Sequence, residues 1–297
     1  MTTNSLTCAS FCNQSLHIMG LGWLGLPLAK QLHEQGMRIS GTVTSKEKQK
    51  KLLSEGIDAD TFDLYTPFST QYKSNKTLIK RRFNNASLVL NIPPGRQQFN
   101  KDKYVSSMLN LIDVAMEAGL KKLIFISTTS VYGNESGTIT NTSLLKPSTD
   151  SGKAHEQIEN HLIHTYPNRF KILRPSGLIG PNIDASIRHP IFTLCHKKNI
   201  AKGLDPVNLV HQADLIQAIT ALLVKNTICS TYNLAALEHP SRKDYYTWCA
   251  QQLDLPMPEF MEDTKKRQLG KLIDATDTFA ELDITPKYSS PFAMLGI

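Results

Sequence analysis

The first half of the chain alternates between two hydrophobic periods. Residues 16–19 form a short continuous apolar run, and after Gly20-Leu21-Gly22-Trp23-Leu24-Gly25 the positions Leu28 and Leu32 recur at helical spacing as far as Gly36. That pattern predicts a strand, a glycine turn and an amphipathic helix. A β-like run over 38–43, a charged helix over 45–55 and a short strand over 59–62 come next, the last ending at Asp63-Leu64. Residues 87–92 predict a fourth strand, 104–118 its helix, 122–127 a fifth strand, 150–165 another helix, and 171–173 a strand that closes on Arg174-Pro175. Strands and helices in strict alternation imply a parallel sheet covered on both faces, an α/β doubly wound architecture. Beyond residue 175 the pattern loosens to a helix near 214–223, a strand over 231–234, a helix over 242–253 and an irregular C-terminus. A small α+β C-terminal lobe packed on the sheet is expected there.

A length of 297 residues allows two domains, and 40% apolar content supports an ordinary core. The expected division is a flexible tail over 1–15, a nucleotide-binding type of domain over 16–175 and a smaller lobe over 176–297 interleaved with the sheet. No stretch approaches about 20 consecutive apolar residues, and residues 1–15 are polar and small, so a cytoplasmic protein away from membranes is expected. Lysine and arginine exceed aspartate and glutamate by 33 − 26 = 7, which favours anionic partners. Because the basic residues are scattered and no aromatic platform accompanies them, nucleic-acid binding is not expected. The five cysteines, Cys8, Cys12, Cys195, Cys229 and Cys249, show no zinc spacing and read as reduced thiols, with no metal site.

A glycine turn between a first strand and helix lets the backbone approach a pyrophosphate, whose charge then rests on free amides and the positive helix end. Gly20, Gly22 and Gly25 fit those roles with Trp23 and Leu24 between them, and the motif opens the first strand-turn-helix unit of the chain, as a dinucleotide site requires. At the end of the second strand an acidic residue would take a ribose 2′-hydroxyl and a cation would take a 2′-phosphate. Thr44-Ser45-Lys46 stands there with no acid before Glu47, which favours NADP over NAD; Lys48, Lys50 and Lys51 read as a solvated helix face.

Three further segments follow in order: Ser127-Thr128-Thr129-Ser130-Val131-Tyr132-Gly133, Arg174-Pro175-Ser176-Gly177-Leu178-Ile179-Gly180-Pro181, and Asn208-Leu209-Val210-His211 with Asp214. With the glycine turn they resemble the extended short-chain dehydrogenase/reductase superfamily of NAD-dependent epimerases and dehydratases, most closely a bacterial subgroup of predicted epimerases. The likeness runs from about residue 16 through Lys271-Leu272-Ile273-Asp274. It implies a Rossmann-type fold with a small substrate lobe, an NAD(P) cofactor, a homodimer, and oxidoreductase or epimerase chemistry on a polar, anionic small molecule such as a nucleotide sugar. It would place Asp63 and Leu64 near the adenine and run Asn91, Pro93 and Pro94 past the cofactor. GLGWLGLPLA also resembles the opening of the β-hydroxyacid dehydrogenases, but their second half is all-helical, unlike the strand-like runs here.

Catalysis in the superfamily uses a Ser or Thr hydroxyl, a tyrosine as general acid/base, and a lysine that binds the nicotinamide ribose and stabilises the phenolate. The resemblance carries the hydroxyl to Thr128 and the lysine to Lys153. It does not carry the tyrosine, because Thr149 stands four residues before Lys153. Tyr132, Ser151 and His155 are the candidates for the missing proton donor. Thr129 and Ser130 replace the Asp-Glu pair of the dehydratases, which disfavours sugar dehydration. Arg174, Arg188, His189, Asn208, His211 and Arg242 collect on the substrate side, with Arg188 and His189 favoured as substrate contacts and Asp214 as a structural tie. The absent phenol keeps a second reading open, a dinucleotide-binding regulator or pseudoenzyme.

Overall fold

The computed structural model describes residues 14–66, 81–95, 99–181, 187–262 and 269–295; the expected tail over 1–15 lies outside them except for its last two positions. Strands β1 (Ser15–Met19), β2 (Arg38–Val43), β3 (Asp58–Thr61), β4 (Ser87–Leu90), β5 (Lys122–Ile126), β7 (Phe170–Pro175) and β11 (Thr231–Leu234) form one sheet in the order β11-β7-β5-β4-β1-β2-β3. The registered pairs run parallel, with Leu16 opposite Ile39 and Ser87, and Val43 opposite Thr61. Helices α1 (Gly25–Glu34), α2 (Lys46–Ser54), α3 (Lys101–Glu117) and α4 (Asp150–Thr165) make the crossovers. This is the α/β doubly wound Rossmann-type sheet that the alternating pattern predicts.

The chain divides into two compact units. One comprises residues 1–127, 153–172 and 219–230, the other 128–152, 173–218 and 231–297. In the first, Leu88, Leu90, Leu123 and Phe125 join the inward faces of α3 and α4 in one core cluster. Val89 and Ile124, the alternate strand positions, are just as buried but stand outside that cluster, the mark of a sheet covered on both faces. His17 is buried there with Nδ1 2.8 Å from Ser40 Oγ, and the buried Arg82 guanidinium binds Asp58 and Asp60.

The second unit adds β6 (Gly137–Ile139), β8 (Gly177–Pro181), β9 (Ile187–Arg188), β10 (Leu209–His211) and β12 (Lys271–Ile273). Its helical parts are α5 (Ile191–Leu194), α6 (Gln212–Val224, whose first turns belong here), α7 (Arg242–Gln252) and α8 (Thr276–Leu282). Strand β12 pairs parallel with β6, and β8 pairs with β10 and β9. The C-terminus is therefore ordered where the hydrophobic pattern predicts irregular chain. Short strands and a seven-residue helix carry too few periods to register as patterns. The core gathers Tyr245, Tyr246, Cys249, Ile191, Val207 and Leu209.

Candidate functional site

The glycine turn is built by close backbone approach. A Cβ on Gly20, whose φ is +104°, would stand 2.4 Å from the Asn91 carbonyl oxygen, and one on Gly25 would stand 2.1 Å from that of Gly20. Both positions require glycine. Gly22 is different: a Cβ there would meet nothing within 4 Å, so its backbone faces open space. Thr42 anchors the turn, its hydroxyl accepting from Gly20 N at 3.0 Å and its carbonyl from Leu21 N at 2.8 Å. Whereas Ser45, Asn100 and Ser241 cap α2, α3 and α7 with their side chains, the residue that caps α1 is Leu24, which has no acceptor. With no acid in its first turn, α1 presents an uncapped positive end behind an open glycine. These residues fit the pyrophosphate of a dinucleotide.

Around the turn, Asn91 N donates to Met19 O at 3.0 Å, and Tyr104 donates to Ile92 O at 2.7 Å, which fixes the Asn91 to Pro94 passage. Thr44 and Lys46 are exposed at the end of β2, and Ser45 accepts from Lys48 N at 3.3 Å. The Asp63 carboxylate binds its own turn, taking Tyr65 N at 3.1 Å and the Thr66 hydroxyl at 2.8 Å. Leu64 instead lines a cavity of about 230 Å³ with Phe62, Tyr65, Ser106 and Asn110. Lys153 is exposed on α4, and no ion pair reaches it among the described residues. Two residues after it, His155 is buried against Phe125, ring centroids 5.5 Å apart, with Nδ1 unpartnered. Burial holds its pKa down to about 4.

In the second unit, Thr128 caps the 3₁₀ turn over Thr129–Tyr132 by accepting from Ser130 N at 3.1 Å, and its hydroxyl donates to Ser130 Oγ at 3.1 Å. Ser130 is exposed, so the pair presents a hydroxyl to solvent. Tyr132 does not: it is fully buried, accepts from Arg174 Nη1 at 2.6 Å, and donates toward Asn233 Oδ1 at 2.7 Å and Thr140 O at 3.1 Å. Its phenol is a packing node between β7, β11 and the turn. Thr149 accepts from Gly152 N at 3.1 Å, the side-chain cap of α4.

The expected substrate residues are mostly spent within their own unit. His189 is buried, its Nδ1 accepting from Ile191 N at 3.0 Å and its Nε2 lying 2.8 Å from Tyr245 OH, and burial lowers its pKa to about 4. His211 accepts from Ala213 N at 3.1 Å beneath Tyr288, ring centroids 3.9 Å apart. Asn208 donates to Lys271 O at 2.9 Å and accepts from Ile273 N at 2.8 Å, and Arg242 holds the carbonyl of Ala201 at 3.0 Å. Asp214 takes the amides of Lys287 and Tyr288, as expected of a structural tie. Arg188 is half-buried in β9.

The family model described as NAD dependent epimerase/dehydratase family matches residues 17–235. The chain belongs to this family. It is also 32% identical over 277 residues to Protein YeeZ of Escherichia coli (strain K12), covering 93% of this chain and 97% of the relative. Two solved structures share the fold. UDP-glucuronic acid 4-epimerase from Bacillus cereus, in complex with NAD, is 20% identical with a TM-score of 0.69, covering 93% of this chain and 94% of that one. ADP-L-glycero-D-manno-heptose-6-epimerase from Helicobacter pylori is 18% identical with a TM-score of 0.74, covering 97% and 96%. No helix among the described residues is long and apolar enough to cross a membrane, and no group of three metal-ligating side chains gathers among them.

Motif reading missed the roles of Ser130, of Thr149 as a cap, and of Lys271, whose ammonium donates to Thr129 O at 3.0 Å and Gly133 O at 2.7 Å. A threonine just before a helix is a legible cap signal. Nothing local marks Lys271, which reaches a turn about 140 residues away in the chain.

Proposed function

We propose that this chain is an NAD(P)-dependent oxidoreductase or epimerase that acts on a polar, anionic small molecule of the nucleotide-sugar class. The observation that carries the reading is the glycine cradle, open at Gly22 and closed to any side chain at Gly20 and Gly25, before the uncapped end of α1. Gly20, Gly22, Trp23, Leu24 and Gly25 would hold the pyrophosphate, Asn91 and Pro93 would pass the cofactor, and Lys153 would take the nicotinamide ribose. The bound cofactor supplies hydride transfer. Thr128 would hold the reacting oxygen of the substrate by a hydrogen bond at Oγ1, and Ser130 would extend that bond toward solvent.

Ser45 and Lys46, at the end of β2 with no acid before Glu47, support NADP over NAD. Titrating NADPH, NADP, NADH and NAD into the purified protein tests both points. Micromolar binding of NADP(H) that shifts toward NAD(H) in Lys46→Asp is the expected result, and failure of all four to bind refutes the enzyme reading.

Use of Thr149 as a helix cap favours a second reading, a dinucleotide-binding protein without hydride transfer. Tight cofactor binding with neither a spectral change at 340 nm nor an epimerised product across a panel of nucleotide sugars would select it. The homodimer implied by the family resemblance is tested by light scattering on the same sample.

A further inference from the structure

Lys271 is a half-buried cation whose two bonds go to main-chain carbonyls, and it makes no ion pair among the described residues. The carbonyls belong to Thr129 and Gly133, the two ends of the turn capped by Thr128. The turn has little freedom: Gly133, at φ +60°, would place a Cβ 2.0 Å from Lys146 O, and Lys146 N donates to Val131 O at 2.9 Å. The lysine is itself delivered firmly. Asn208 grips β12 at Lys271 O and Ile273 N, Asp205 takes Gly270 N at 3.1 Å, and β12 lies in register on β6 with Lys271 opposite Gly137.

Charged groups on the neighbouring elements are engaged elsewhere. Lys146 and Glu135 pair at 3.2 Å, and Asp274 accepts from Thr276 N at 2.9 Å. Fixing a lysine costs side-chain entropy and a half-buried ammonium is poorly solvated, so its two carbonyl bonds hold it to this turn at a cost. The cation does, however, clamp a segment that presents a coupled pair of hydroxyls, Thr128 and Ser130.

We propose that Lys271 is a positioning residue: carried on β12, its ammonium fixes the 128–133 turn and sets the place and electrostatic surroundings of the Thr128/Ser130 hydroxyl pair. The inference rests on the reading that this turn carries the reacting hydroxyl. Removing the charge or loosening β12 then disturbs that pair while the rest of the unit stays folded.

The test reads the pair without turnover. In Ser130→Cys the introduced thiol reports the local field, and its alkylation by iodoacetamide against pH is followed by peptide mass spectrometry, so that the native cysteines do not contribute. Adding Lys271→Gln, which keeps two N–H donors but no charge, is expected to raise the alkylation midpoint by about 0.5–1 pH unit, as for loss of one cation several ångströms away in a partly wet site; Lys271→Arg restores it. Asn208→Ala, which frees β12 but leaves the ammonium, is the second route to the same rise if the glutamine variant fails to fold. An unchanged midpoint in a folded Lys271→Gln or Asn208→Ala protein overturns the proposal. Where the wild type oxidises a nucleotide sugar, Lys271→Gln lowers kcat at least tenfold with KM within twofold. A wild type that turns over no member of the panel removes the enzyme reading, while the thiol result still decides Lys271.

Discussion

Acid should unfold this protein through its buried imidazoles. His17, His155, His189 and His211 are each more than nine-tenths buried, and burial lowers their pKa values to about 3, about 4, about 4 and about 4. The Arg82 guanidinium adds to the effect at His17, and Asp58 opposes it. In the unfolded chain each titrates near about 6.5. A histidine whose folded pKa is depressed costs nothing above its unfolded value and destabilises progressively as pH falls from there toward its folded value. At pH 5 an unfolded histidine gains about 2 kcal/mol from protonation that a folded one held near pH 4 does not, so four amount to about 8 kcal/mol. Partial water entry reduces this toward about 4 kcal/mol, still a large share of a typical stability of about 5–15 kcal/mol. Asp214, whose carboxyl burial raises, works in the opposite direction and recovers a part. Asp58, held down by its hydrogen bonds to Arg82, loses its contribution only at lower pH. The assay is urea unfolding by circular dichroism at pH 7.5, 6.5, 5.5 and 4.5. The expected slope below pH 6.5 is two to three protons, about 3–4 kcal/mol per pH unit. His155→Phe should remove about one proton without loss at pH 7.5, because the ring stacks on Phe125 and its Nδ1 has no partner to abandon. A slope under one proton, or one that His155→Phe leaves unchanged, would refute the reasoning.

Other perturbations follow from the same geometry. Gly25→Ala places a methyl 2.1 Å from Gly20 O and 3.1 Å from Ile18 Cγ2, with backbone on one side, so dinucleotide affinity should fall at least a hundredfold by calorimetric titration and the melting temperature should drop. Lys46→Asp should invert the NADP/NAD preference with little change in stability, since the side chain is exposed at the start of α2. Thr149→Ala should cost about 1 kcal/mol in urea unfolding through loss of the α4 cap, and Thr149→Ser should recover most of it. If Thr149→Ala and Thr149→Ser are equally stable, the hydroxyl is not acting as a cap.

Legibility followed the length of the element. Strand β2, helix α4 and strand β11 occupy the residues their patterns predict, because Gly36 closes α1 just before β2, β-branched and aromatic residues favour the strands, and a surface helix forces a 3.6-residue period. The glycine turn was readable because its physics is local: positive φ and carbonyls within 2.5 Å admit only glycine. Strand β12 is three residues long and holds its place through Asn208, a side chain more than 60 positions away, which no window of sequence can reveal. The same limit applies to His189. An Arg-His pair in a loose segment reads as an anion site, and only the fold shows the imidazole between Ile191 N and Tyr245 OH, inside an aromatic core.

The most informative departure from the family pattern, the threonine at 149, gains a reason from its surroundings. Its hydroxyl holds Gly152 N, and Gly152 lies so close to the turn that a Cβ would sit 2.8 Å from Ser130 O. The start of α4 is thus wedged against the backbone of the hydroxyl turn, and the position serves helix geometry where the family places a proton donor. A phenol there would forfeit the cap. Tyr132 cannot substitute, since its oxygen is already enclosed by Arg174, Asn233 and Thr140. On the proposed reading of the turn, the Thr128 and Ser130 hydroxyls, the latter exposed, are the groups that would carry a proton there. Aliphatic hydroxyls are weak acids, so if the proposed role of Lys271 holds, its ammonium on the carbonyls of Thr129 and Gly133 is the group that would favour charge on their oxygens.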